Sequence, residues 1–233
     1  ERKVARQQAA SSEIDAKIEQ PHRQLFELLM ERMEANPRLG TTSGKPYFID
    51  AGTGRSVAEV CGDEMSVGMT KFYRVQCFRE IGGFVRQVMW DGIDCHRCRM
   101  LGWVAESVDE EPLRFIHLRP MGSSQKGIWT GRVRSGYGQY FMGTAPLYFL
   151  ASTVFRLPKH PILAGSIAMW WGYASSALRG LKRYDDLEFR KFLRSYQYAC
   201  LRLGKRRATQ KFNDARAAVW RARATAHVEG FNS

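Results

Sequence analysis

The chain has 233 residues, 44% hydrophobic and 12% aromatic, enough apolar surface for a packed core and too much for a disordered tail. Its formal charge of +13 is lopsided: residues 1–122 hold 17 Lys/Arg against 18 Asp/Glu (net −1), and residues 123–233 hold 19 against 5 (net +14). A partner drawn by positive charge therefore belongs to the second half. The five cysteines, an odd count with no secretory leader in view, are expected to be reduced thiols in a cytoplasmic setting.

Along the chain, residues 1–13 read as a polar arm. Pro21 opens a helix in which Leu25, Phe26, Leu28, Leu29 and Met33 recur at helical spacing, and Asn36-Pro37 stops it. Leu39 to Asp50 reads as extended with a break at Gly44, and Ala51-Gly52-Thr53-Gly54 as a turn. Phe72 to Glu80 is expected to be a short helix and Leu113 to Leu118 a buried strand. This alternation predicts an α/β layer structure.

The most informative stretch runs from Phe78 to Trp103. Behind the glycine turn Ile81-Gly82-Gly83-Phe84 lie Trp90-Asp91-Gly92-Ile93-Asp94 and a helix beginning near Gly92. Asp91 fits a helix cap, because a side-chain oxygen there accepts an unsatisfied backbone N–H. It also fits a general base, a carboxylate kept ionised beside the electropositive end of a helix. Asp94, one turn on, reads either as a second acid of the site or as a solvated helix residue. Cys95 and Cys98 have the spacing of half a zinc knuckle, but no second close pair completes four ligands, so they read as neighbours on one helical face.

Arg74 and Arg79, Ile81 to Phe84, Asp91 with Asp94, Arg97, and Gly102-Trp103 stand in an order similar to that of family 2 glycosyltransferases. There an arginine-bearing helix leads to an IGGF turn, an acid pair, and an Arg shortly before a Gly-aromatic. On these residues the chain resembles the acceptor side of that family's GT-A domain. The resemblance implies a polar arm over 1–13, a partial GT-A layer over 14–125, and a basic, membrane-surface-prone helical region over 126–233. It implies inverting transfer of a sugar from a nucleotide-sugar donor to a glycan or lipid-linked acceptor in envelope or exopolysaccharide assembly. Asp91 would be the base and Asp94 its companion. Mg²⁺ or Mn²⁺ would be held by Asp15 and His117. Arg119, Lys126 and Arg132 would face the donor diphosphate, and Asp63, Glu64 and Trp90 the acceptor.

Read without the family, His117 in Arg114-Phe-Ile-His-Leu-Arg119 is a packed strand histidine, Arg119 a strand-end cation, and Asp63 and Glu64 loop acids. Two departures from the family pattern stand out. Lys17 occupies the place of the second acid of an Asp-x-Asp motif, and an ammonium cannot ligate a hard cation, so either Glu19 compensates, or metal binding is impaired, or the first residues come from a truncated or shifted reading frame. The family's nucleotide-binding β-α-β units also have no counterpart in this sequence. The chain is therefore expected to be the acceptor-side portion of a longer transferase or, alternatively, a non-catalytic remnant or membrane-surface binding module.

The second half contains two charge-free runs, between Arg134 and Arg156 and from His160 to Leu178, each interrupted by glycine. They read either as a pair of core helices or as a pair of interfacial helices beside an anionic membrane surface, with the protein peripheral to the cytoplasmic membrane. Arg190 to Arg223 continues as a basic helical tail with interleaved aromatics. Without a nucleic-acid motif, nucleic acid is the weaker partner class.

Overall fold

The computed structural model describes residues 24–50, 52–59, 61–117, 127–157 and 163–229, the side chains of 224–229 excepted. It is a mixed α/β structure, mostly helical, with one small sheet. Helix α1 (24–35) runs from the described start to Asn36, as its spacing predicts. Its buried Leu25 and Leu29 pack on Val108 and Leu113, and Phe26 meets Phe72 edge to face at 4.7 Å.

Strand β1 (Leu39–Ile49) is the spine of the sheet, and its first eight residues are buried. Those residues are covered on both faces, the usual condition for a strand with parallel partners. Strands β2 (Ser56–Ala58) and β3 (Phe72–Tyr73) pair with it antiparallel, and β4 (Val104–Val108) and β5 (Arg114–His117) parallel. The expected break at Gly44 does not occur. Instead, β1 continues and changes partner there: β4 pairs up to Gly44 and β5 from Lys45. A Cβ at Gly44 would run into the Leu113 carbonyl, so only glycine permits this approach.

Two further expectations are corrected. Phe72 to Glu80 is not one helix: Phe72 and Tyr73 pair with Thr42 and Thr41, and only Val75–Glu80 winds into α2. The buried strand expected from Leu113 to Leu118 is β5, whose side chains alternate between exposed and half-buried, with Leu113 buried in the 3-10 turn before it. Leu118 lies outside the described residues. Helix α3 (Trp90–Met100) follows the glycine turn and packs against β4.

The helical half comprises α4 (Ile128–Met142), α5 (Pro146–Arg156), α6 (Ala164–Leu178), α7 (Leu187–Leu203) and α8 (Lys205–Glu229). Helices α4 and α6 approach with backbones in contact, since a Cβ on Gly136 would strike the Met169 carbonyl and one on Gly172 that of Val133. Tyr140, Phe149, Met169 and Tyr173 fill the space beside them. Helix α7 begins with the Asp186 carboxylate capping the Phe189 N–H at 2.8 Å. It buries Phe189, Phe192, Leu193, Tyr196 and Cys200 on one face. The halves meet where Arg99 of α3, fully buried, lies over the Tyr196 ring at 4.9 Å, and where Trp103 meets Trp220 at 5.8 Å. No helix among the described residues is long and apolar enough to cross a membrane.

Candidate functional site

The Ile81 to Phe84 segment ends α2 by a turn that requires glycine: Gly82 and Gly83 have φ of 76° and 71°, and the Gly83 N–H returns to the Phe78 carbonyl at 3.0 Å. Phe84 emerges 56% exposed, with its ring edge to face with Phe78 at 4.9 Å and Trp90 at 5.0 Å. Met89 then takes a left-handed conformation, φ 68°, and α3 starts at Trp90. A non-glycine residue in that region is uncommon and marks a constrained corner.

Asp91 therefore sits inside the first turn of α3 instead of at its cap, which is Met89. Its Oδ1 accepts the Gly92 N–H at 2.9 Å, leaving the carboxylate half-buried at the electropositive end of the helix. Across from it is Gly68, the first residue of the 3-10 turn Gly68–Thr70. A Cβ on Gly68 would lie 2.9 Å from the Trp90 ring and 3.7 Å from Asp91 Oδ2, so glycine lets the turn lie close against the Trp90 ring, beside the carboxylate.

Asp94 is built differently. It is 0% exposed, which corrects the solvated reading. Its Oδ2 accepts the Tyr73 hydroxyl at 2.5 Å and lies 3.6 Å from Lys71 Nζ, while Oδ1 has no hydrogen-bond partner. Burial raises its pKa above the ordinary aspartate value, with Tyr73 and Lys71 pulling the other way. The Lys71 side chain is 2% exposed and donates to the Asp91 carbonyl at 3.0 Å and to Cys95 Sγ at 3.4 Å. Desolvation by burial would lower Lys71, but Cys95, Asp94 and Asp91 outweigh it and the net shift is upward. One buried ammonium thus pins the first turn of α3 from beneath. Tyr73 is pushed up by burial and by Asp94, and holds its proton as a donor.

His117 touches the same 3-10 turn at Met69. Its Nδ1 is 2.7 Å from Glu59 Oε1, and its Nε2 is against Met69 Sδ. Arg132, in the first turns of α4, is near enough to Glu59 for the carboxylate to oppose the lowering that burial imposes on its pKa. So Asp91 and Trp90 lie beside Gly68, His117 touches Met69 of the same turn, and Glu59 links His117 to Arg132.

A divalent cation finds no complete ligand set here. Both His117 ring nitrogens are engaged, and no group of three His, Cys, Asp or Glu side chains among the described residues is placed to hold a metal. Asp15, Arg119 and Lys126 lie outside the described residues.

No family model, characterised protein or solved structure matches this chain. Asp63 is a surface acid, its side chain 79% exposed, paired with Lys45, while Glu64 is held by Lys205 from the start of α8. Cys95 and Cys98 are buried on different partners: Cys95 meets Ser66, and Cys98 Sγ lies 3.3 Å from Cys77 Sγ. All five cysteines are free. Lys71, Tyr73 and Glu59 are the residues that sequence reasoning missed. Nothing in Met-Thr-Lys71-Phe-Tyr73-Arg separates a buried ion pair from a surface lysine, and Glu59 gives no local signal either.

Proposed function

We propose that Asp91 is the general base of an inverting, GT-A-type glycosyl transfer and that this chain supplies the acceptor side of the site. The observation that carries the reading is the contrast between two aspartates three residues apart. Asp94 is buried and paired, so it acts as a positioning residue. Asp91 is half-exposed at a helix N-terminus, with one internal hydrogen bond and a glycine opposite it. Such a carboxylate is free to take a proton, and the adjoining Trp90 and Phe84 rings present an apolar face on which a sugar ring can lie.

In the proposed step, the acceptor hydroxyl gives its proton to an Asp91 oxygen as its own oxygen bonds to the anomeric carbon of the donor sugar. The bond from that carbon to the nucleoside diphosphate breaks on the opposite face, and the diphosphate leaves with the electron pair. Arg132, joined by Arg119 and Lys126 in the reading from resemblance, would attract that leaving charge. Lys71, held to the Asp91 carbonyl, fixes the turn that aims the base.

The test is transfer by a full-length version that also carries the donor side, from a panel of nucleotide sugars supplied with Mg²⁺ or Mn²⁺ to glycan and lipid-linked acceptors. Asp91→Asn is expected to lower the rate roughly 10²–10⁴-fold, the usual loss on removing a general base. Its melting temperature should stay near that of the parent, because the side chain is half-exposed. Retention of more than about a tenth of the rate would sink the assignment, since a base contributes far more than tenfold. Absence of transfer with every donor by that full-length version would favour the alternative, a non-catalytic remnant or membrane-surface binding module.

A further inference from the structure

The second half buries some of its large apolar residues and presents others in an ordered way. Phe149 is 1% exposed, and Trp170 packs on it at 5.2 Å while its indole N–H donates to Thr153 Oγ1 at 2.7 Å, so both belong to the core. Their neighbours point outward. On α5, Leu147, Leu150 and Val154 are all exposed, at spacings of three and four residues that set them on one face. On α6, Ile167, Trp171 and Leu178 are likewise exposed at spacings of four and seven, Trp171 at 63% and Leu178 at 87%.

The two stripes are held side by side, since the Ser166 hydroxyl of α6 donates to the Thr153 carbonyl of α5 at 3.0 Å. Helix α6 contains no charged residue. The single charge of α5, Arg156, folds back so that its guanidinium donates to the Ser152 carbonyl at 3.0 Å. Beyond the last turn of α6 the composition reverses abruptly, to exposed Arg179 and Lys182 with Arg183 beside them. Leaving six large apolar side chains in water on two adjacent helices is unfavourable unless something covers them.

We infer that the outer faces of α5 and α6 form a monotopic docking surface for a bilayer carrying anionic headgroups. The apolar stripes enter the acyl boundary, Trp171 sits at headgroup level, and Arg179, Lys182 and Arg183 meet the phosphates. Charge complementarity favours this occupant over a second copy of the chain: two such surfaces face to face would bring their flanking cations together, in a half with a net charge of +14. The inference stands apart from the transferase reading and holds whether or not Asp91 is a base.

The test uses the whole chain with phosphatidylcholine vesicles, with and without phosphatidylglycerol. The protein is expected to pellet with the anionic vesicles, to do so less as salt rises, and to keep a residual bound fraction at high salt. The triple variant Leu150→Ser, Ile167→Ser, Trp171→Ser changes only exposed side chains. It should keep the parent's circular dichroism and lose roughly tenfold or more in partition coefficient, as the apolar insertion is removed. A second measurement needs no disruptive variant: vesicles with brominated acyl chains should quench tryptophan emission in the parent and distinctly less in Trp171→Phe. No pelleting with either vesicle, equal pelleting of parent and triple variant, or indifference to phosphatidylglycerol would each overturn the inference. So would a concentration-dependent dimer that the triple variant abolishes while neither protein binds lipid, which would assign the face to a second copy.

Discussion

Beside β1 the interior holds Thr41, Ser43, Ser66, Lys71 and Asp94 within hydrogen-bond networks, whereas between α4 and α6 it holds Tyr140, Phe149, Met169 and Tyr173 with backbones touching. In the sheet half, the Thr41 hydroxyl meets Ser66 at 2.8 Å, the Ser43 hydroxyl accepts the Val67 N–H at 2.8 Å, and Lys71 joins Asp91, Asp94 and Cys95. In the helical half, Phe149 stacks on Tyr173 at 4.6 Å, and Gly136 and Gly172 remove the side chains that would hold the helices apart. A polar interior costs stability unless its members find partners, so it persists where it positions something. What it positions here is the first turn of α3. The apolar interior of the other half is a platform, and its active surface faces outward.

Mutation probes the two interiors separately, and the largest effect belongs to the sheet half. Lys71→Met should destabilise the fold by about 3–5 kcal/mol, because the buried Asp94 carboxylate loses its cation. Urea denaturation checks it, and a loss below about 1 kcal/mol, the range of an exposed pair, would show that the pair is not buried in solution. Next comes Gly172→Ala, where the added methyl meets the Val133 carbonyl of α4. A cost of about 1–3 kcal/mol is expected from overpacking, and an unchanged melting temperature would mean the two backbones are not in contact. Asp186→Ala removes the cap of α7 and should cost about 1 kcal/mol by thermal melting.

The smallest effect is a pH dependence. His96 is pushed well below its ordinary pKa of 6.5, by burial first and then by the nearby Arg99. The unfolded imidazole takes up a proton as pH falls through 6.5 and the folded one does not, so stability is at its plateau above that value and declines below it. Asp94 runs the other way. Its raised folded pKa gives a contribution that is full below the unfolded value of 3.8 and is lost as pH rises through the folded one. From pH 7 to 6 the decline due to His96 should be less than about 1 kcal/mol. His96→Gln should flatten the profile of the urea midpoint over that interval; an unchanged slope would assign the dependence to another group.

Much of the scaffold was legible in the sequence because its signals are local. Leu25, Leu29 and Met33 announced α1, Asn36-Pro37 its end, and the run from Leu39 a strand that ends within one residue of expectation. The split of Phe72 to Glu80 was not legible, since β3 is two residues long and exists only because Thr41 and Thr42 lie alongside. Within the site, the acid pair was visible but its division of labour was not. Two aspartates three apart share a helical face in any sequence, and their difference comes from Tyr73, Lys71 and Gly68, which approach from another segment. For His117 the packed-histidine reading describes what is seen, with Glu59 as the partner that no spacing rule could have named.

The change of partner along β1 has a consequence for how the chain acquires its shape. Strands β2 and β3 follow β1 closely, but β4 and β5 arrive more than sixty residues downstream. A ribosome delivers the spine long before its parallel neighbours, so β1 spends that interval with one side unpaired and apolar residues uncovered. The long closing distance makes the parallel pairing a slow step, and the unpaired side is where a nascent chain is most open to intermolecular strand addition. Gly44, where β4 hands over to β5, thereby sits in the middle of the side of β1 that closes last.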